Sequence, residues 1–245
     1  MTRTIKLGDM LVDVIQKDIK NVHLSVYPPT GRVRISAPNH LSLDTIRAFT
    51  ISKLGWIEKQ RQKLSEQERE TPREYVDRES HQVWGRRYLL KLVEREAAPS
   101  VEVKHNNLVL QVRPGTDRAG KQAIVERWHR DQIKVVVPSL IEKWEPVMGL
   151  KVANFYVRQM KTLWGSCNPV SKNIRLNSEL AKKPPECLEY VVVHEMVHLL
   201  VPGHRQKFVA AMDRYLPSWR NQRDALNRLP VKHENWVPPP GAPNR

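Results

Sequence analysis

The sequence predicts an α+β fold. A β-rich amino-terminal domain with one helix covers residues 1–116, a second domain combining helices with a small sheet covers 117–232, and a proline-rich tail covers 233–245. Three observations carry this reading. Apolar and polar residues alternate through much of the first half, the period of a strand with one buried face. From Asp117 the apolar spacing lengthens to that of a helix. In the last third, short extended segments lead into an apolar helical run that contains His194-Glu195-Met196-Val197-His198.

Val22, Leu24 and Val26 alternate with polar neighbours, and so do Val33, Ile35 and Ala37; Pro28-Pro29-Thr30-Gly31 lies between them, which predicts a hairpin. From Ser42 the spacing of Ile46, Phe49, Lys53, Trp56 and Ile57 places them on one face of a helix, followed by a charged run from Glu58 to Glu79 that reads as a helix end and an exposed loop. Strands are expected over 84–93, 101–103 and 108–112, with Asn106-Asn107 turning the last two. After Pro114-Gly115, Asp117 is the expected N-cap of a helix carrying Ile124, Trp128, Ile133, Val137, Leu140, Ile141 and Trp144. Pro138 should kink or briefly break it. Residues 151–160, 162–167 and 173–177 are short and extended, with a turn through Asn168-Pro169, and predict a small sheet. Pro184-Pro185 opens a helix over about 186–200, Pro202-Gly203 breaks it, and a second helix runs from about 205 to 215 before Pro217.

A chain of 245 residues with 40% apolar side chains can bury a full core. Its first twenty residues hold no unbroken apolar stretch, so no membrane association is expected and the expected location is cytoplasmic. Cys167 and Cys187 form no Cys-x-x-Cys pair, which argues against a disulfide scaffold or a thiolate zinc knuckle. The net charge of +15 biases the chain towards polyanions, and nucleic acid is therefore one expected partner. Basic residues are spread along the chain, for example Lys59, Arg61, Arg86, Arg87, Lys121, Arg127, Arg130 and Lys134, as they would be on a solvated surface.

The decisive segment runs from Tyr190 to His204. Residues four apart on a helix share a face one turn apart, so His194 and His198 can bind one ion. Neutral imidazoles leave Zn²⁺ with most of its charge, which lowers the pKa of a bound water towards about 7. Glu195 beside them is placed to take a proton as that metal-activated water attacks a peptide or amide carbonyl, and to return it to the leaving amine. A continuing helix would carry His204 about 9 Å up the axis from His198. Pro202 and Gly203 stop the helix and let the chain fold back, making His204 the third ligand. Glu186, Glu189 and Asp213 are candidate substitutes for a ligand, and Cys167 is a candidate inhibitory one. Tyr156, Tyr190 and Tyr215 are candidates for stabilising an oxyanion. Trp164 is either a pocket floor or a core residue. Ser166 and Asn177 either hydrogen-bond substrate or a ligating histidine, or satisfy strand-end backbone. His23, His40, His81, His105 and His129 show no ligand spacing, and His233 is remote from the motif.

Trp164-Gly165-Ser166-Cys167, Ile174-Arg175-Leu176-Asn177, Tyr190 to Glu195 and His204 to Phe208 resemble the YgjP-like metallopeptidase-domain family, related to SprT-type zinc proteases. The residues 33–38, Trp56-Ile57 and Trp84-Gly85 extend the resemblance over nearly the whole chain. It implies a zincin-like catalytic domain with an HExxH active-site helix, zinc on His194, His198 and His204, Glu195 as catalytic acid/base, and a peptide or protein substrate. The spacing to the third histidine is also that of metzincins, but Val201 stands where they usually carry glycine. In zincin-like folds an edge strand beside the active-site helix can pair with an extended peptide, and the 163–167/174–177 hairpin is the candidate here. The competing reading is a nucleic-acid-associated accessory protein whose zinc site is structural or weakly active; zinc hydrolysis of a non-peptide amide or ester would use the same residues.

Overall fold

The computed structural model describes residues 2–27, 31–66, 72–160 and 163–228. The chain divides into two compact units, Met1–Glu70 and Thr71–Leu229. The turn residues Pro28 to Thr30, the middle of the charged run at 67–71, residues 161 and 162, His233 and the proline-rich tail lie outside the described residues.

In the first unit, strands β1 (Thr2–Leu7), β2 (Met10–Lys17), β3 (His23–Tyr27) and β4 (Arg32–Pro38) form one sheet in the order β1-β2-β4-β3. The expected hairpin is present: β3 and β4 pair antiparallel, with Val26 opposite Val33. The alternation in β4 is realised as burial of Val33, Ile35 and Ala37, which meet Val12, Val14, Ile46 and Ile57 in one core. Where one helix was expected there are two, α1 (Leu43–Ser52) and α2 (Leu54–Glu66), and the second carries the helical pattern well into the charged run. Ser42 caps α1 by accepting the Thr45 N–H. Near its end the Thr50 hydroxyl donates to the Ile46 carbonyl and the Ser52 hydroxyl to the Phe49 carbonyl, and Lys53 leaves helical geometry. Hydroxyls that bond back to carbonyls three or four residues earlier compete with the helical ladder and favour such a break.

The second unit holds β5 (Ser80–Val83), β6 (Arg86–Glu94), β7 (Ser100–Lys104) and β8 (Asn107–Val112), ordered β5-β6-β8-β7. Helix α3 (Arg118–Met148) follows, capped as expected by Asp117, whose carboxylate accepts the Gly120 N–H. It ends at Gly149, which takes the left-handed conformation at φ 65°. The helical region continues beyond Pro138 as expected, and of the expected kink or short break the break is absent. Pro138 and Lys134, whose carbonyl loses its partner, are both exposed, so water can serve that carbonyl. Val125, His129, Ile133 and Val137, each four residues apart, are buried on the face that holds α3 in place. The junction at 116/117 lies inside this unit, because Val125 with Ile124 and Trp128 closes the core of the β5–β8 sheet.

Three short strands, β9 (Asn154–Arg158), β10 (Gly165–Asn168) and β11 (Asn173–Asn177), form the small sheet in the order β10-β11-β9. A 3-10 turn over Ser178–Lys182 leads into α4 (Pro185–Leu200), followed by α5 (Gln206–Tyr215) and α6 (Trp219–Arg228), the last unexpected from sequence. α4 is buried almost all round, from Cys187 to Val197, as befits a helix at the centre of a core. The two-residue turn Trp84-Gly85 between β5 and β6 is left-handed at both positions, φ 49° and 75°. Its N–H groups donate to the Ala181 and Lys182 carbonyls, tying that hairpin to the segment that launches α4. Among the described residues, no helix is long and apolar enough to cross a membrane.

Candidate metal centre

α4 carries His194, Glu195 and His198, with the two histidines one turn apart. The helix stops at Leu200; Val201 is extended, at φ −132°, and the left-handed turn comes two residues later at Gly203, φ 74°. That displaced glycine is the structural counterpart of the departure from the metzincin pattern. The turn returns His204 just before α5. His194 Nε2 and His198 Nε2 are 3.2 Å apart, His198 Nε2 and His204 Nε2 3.1 Å, and His204 Nε2 and His194 Nε2 3.1 Å.

Three nitrogens bound tetrahedrally at 2.0–2.1 Å would lie about 3.3–3.4 Å from one another. The observed triangle is within a few tenths of an ångström of that spacing, so the residues fit a small tetrahedral cation. Among the described residues these three form the one group of His, Cys, Asp or Glu side chains so arranged. His198 Nδ1 lies 3.4 Å from the Val201 carbonyl, a long contact that favours the tautomer with its lone pair on Nε2. His194 Nδ1 is buried without a hydrogen-bond partner among the described residues.

Phe208, on the first turn of α5, is 2% exposed and touches all three imidazoles. Its ring centroid is 4.9 Å from that of His194, 4.5 Å from His198 and 4.8 Å from His204. Tyr190 meets His194 edge-on at 5.7 Å and stacks on Trp219 of α6 at 6.4 Å. Burial pushes the His194 pKa down to about 3, with the neighbouring His198 and His204 adding to the effect. Burial, then the charge of His204, lowers His198 as well. All of this keeps the ring nitrogens available as neutral donors. Glu195 is 5% exposed, and burial raises its carboxyl to about 8.

β10 passes alongside α4, and its Gly165 abuts Glu195: a β-carbon built there would stand 2.6 Å from Glu195 Oε1 and 2.9 Å from Glu195 Cγ and Val191 Cγ1. The other candidates fall into place around this core. Glu189 is engaged by Lys143 Nζ at 2.7 Å and Trp144 Nε1 at 3.0 Å, and Asp213 by Trp219 Nε1 at 2.8 Å and by Arg220. Neither carboxylate joins the triangle, nor does Glu186. Cys167, half-buried on β10, is raised to about 11 by burial and by the charge of Glu195, so its thiol stays protonated. Trp164 packs against the core around α4. The Asn177 amide donates to the Met160 and Leu163 carbonyls and its oxygen accepts the Met160 N–H, so it fastens backbone and does not reach a histidine. The roles of Phe208 and Gly165 were not read from sequence. An apolar residue four positions after His204, and a glycine on the strand beside the active-site helix, were the available signals.

A family model described as YgjP-like, metallopeptidase domain, matches residues 20–229. The chain belongs to the YgjP-like metallopeptidase-domain family. Membership in that family supports a metal-dependent peptidase acting on peptide or protein. Among solved structures, this YgjP-like chain is similar to the metallopeptidase zymogen of Pyrococcus abyssi abylysin, at 19% identity and a TM-score of 0.35 over 37% of this chain and 91% of that one. It is also similar to the metallopeptidase zymogen of Methanocaldococcus jannaschii jannalysin, at 22% identity and a TM-score of 0.31 over 36% of this chain and 86% of that one. No curated protein matches it.

Proposed function

We propose that the chain is a zinc-dependent metallopeptidase in which His194, His198 and His204 hold the metal and Glu195 is the catalytic acid/base. The observation that carries the proposal is the nearly equilateral triangle of Nε2 atoms, 3.1–3.2 Å on a side, with the Glu195 carboxyl on the next residue of the same helix. Three neutral imidazoles and an open fourth position are the donor set of a catalytic zinc. Zinc held there would polarise a peptide carbonyl and make water acidic enough to deprotonate near neutral pH. Glu195 accepts the proton as the water oxygen adds to the carbonyl carbon, then delivers it to the amide nitrogen as the C–N bond breaks. Its raised pKa in the metal-free protein falls once a cation lies beside it, which favours the carboxylate that the first step needs.

β10 is the outer strand of its sheet, and among the described residues its second edge carries no strand. An extended peptide pairing with that edge would pass beside Glu195, which makes a peptide or protein the substrate class that the surroundings suit. All of these residues lie within 117–232, which we assign as the catalytic part of a zincin-like arrangement, with residues 72–116 packed onto it. The test is digestion of casein or a peptide library by wild type, with and without chelator, beside Glu195→Gln. Chelator-sensitive cleavage that is lost in Glu195→Gln with metal retained is the expected result; an unchanged rate in that variant would contradict it. The alternative of a nucleic-acid-associated protein with a structural zinc site rests on the net charge of +15. It predicts DNA binding that falls steeply with salt, and no cleavage.

A further inference from the structure

We infer that Gly165 is the positioning residue for Glu195: the missing side chain at this one point of β10 is what lets the carboxyl lie against the strand, and so sets where the proton acceptor sits. The inference rests on the reading of Glu195 as the acid/base. Gly165 opens β10, is half-buried against Glu195 and Val191 of α4, and is paired with buried Leu176. Its φ lies outside the left-handed region, so any L-residue fits the backbone and the glycine is required by space alone. A methyl group at Gly165 would lie 2.6 Å from Glu195 Oε1, where ordinary contact begins at 3.4 Å, so the carboxyl must retreat by roughly 0.8 Å. Glu195 is 5% exposed, and the same methyl group would stand 2.9 Å from Glu195 Cγ as well as from Val191 Cγ1, so it presses on the stem of the buried glutamate and not on its carboxyl alone.

A displacement of about 1 Å in a reacting group costs on the order of 100-fold in rate. Gly165→Ala is therefore expected to keep one metal per chain and a KM near that of wild type while kcat falls about 100-fold. Two further variants separate positioning from packing. Gly165→Ala/Val191→Ala relieves the contact with valine alone and should leave kcat low. The second is a double-mutant cycle on the melting temperature of metal-free protein: Gly165→Ala should lower Tm in wild type and lower it clearly less in Glu195→Ala, where the carboxyl is gone. If Gly165→Ala alone does not fold, recovery of folded protein in Gly165→Ala/Glu195→Ala reports the same coupling. Equal Tm losses in both backgrounds, or a kcat restored by Val191→Ala, would overturn the inference. Wild type that cleaves no peptide while the coupling in Tm persists would overturn the peptidase reading and leave the steric pairing standing.

Discussion

Replacing Phe208 with alanine removes an apolar surface that all three imidazoles share. The ring is 2% exposed and sits 4.5–4.9 Å, centroid to centroid, from each histidine. Deleting a buried phenylalanine side chain costs about 3–5 kcal/mol, and in a domain of this size each kcal/mol lowers Tm by about 2–4 °C, so a drop of roughly 6–20 °C is expected without metal. The histidines also lose the wall that fixes their tilt. Groups that orient metal ligands from behind are worth about 10- to 100-fold in affinity. At free zinc 1,000 times the wild-type Kd, metal stabilises wild type by about 4 kcal/mol, but a variant binding 30-fold more weakly by only about 2 kcal/mol. The assay is therefore melting of both proteins with and without zinc, together with competition against a chromophoric chelator. A variant that melts lower yet binds zinc as tightly as wild type would refute the claim that Phe208 organises the site.

Three further outcomes follow from the same geometry. Glu195→Gln should keep metal and KM while kcat falls at least about 100-fold, measured on any substrate that wild type cleaves. In the metal-free protein, burial raises the Glu195 carboxyl from its ordinary 4.5 to about 8, so its contribution to stability is full below the lower value and is lost as pH rises through the upper one. Urea unfolding at pH 6.5 and 8 should show wild type losing about 1–2 kcal/mol more than Glu195→Gln over that interval; equal losses would show that the carboxyl is not held neutral. Gly203→Pro cannot adopt φ 74°, so it should weaken zinc binding as much as His204→Ala does, a comparison that chelator competition reads directly.

The site was legible in the sequence to the extent that it is local. His194 and His198 share a helix face by spacing alone, and Pro202-Gly203 announces the turn that returns His204. The Asp117 cap of α3 was legible for a similarly local reason, whereas its stop at Gly149 was not read from the sequence. Parallel pairings were not legible: β2 with β4, β6 with β8 and β9 with β11 join segments whose alternation gives a face but not a neighbour. The division at 70/71 was hidden because it falls inside a charged run whose first part, to Glu66, belongs to α2, while Pro114-Gly115 punctuates two elements that share a core. α6 escaped because only Trp219 and Leu226 of its ten residues are buried, too few to show a period. Phe208 and Gly165 act through contacts with residues brought close by the turn and by the sheet, which no spacing along the chain encodes.

The most direct test of the metal centre is elemental analysis with X-ray absorption on purified protein, beside the variants His194→Ala, His198→Ala and His204→Ala. One zinc per chain, with three imidazole nitrogens at about 2.0–2.1 Å and affinity lost in each variant, is the expected result. Zinc that remains stoichiometric and equally coordinated after all three histidines are replaced would contradict the account.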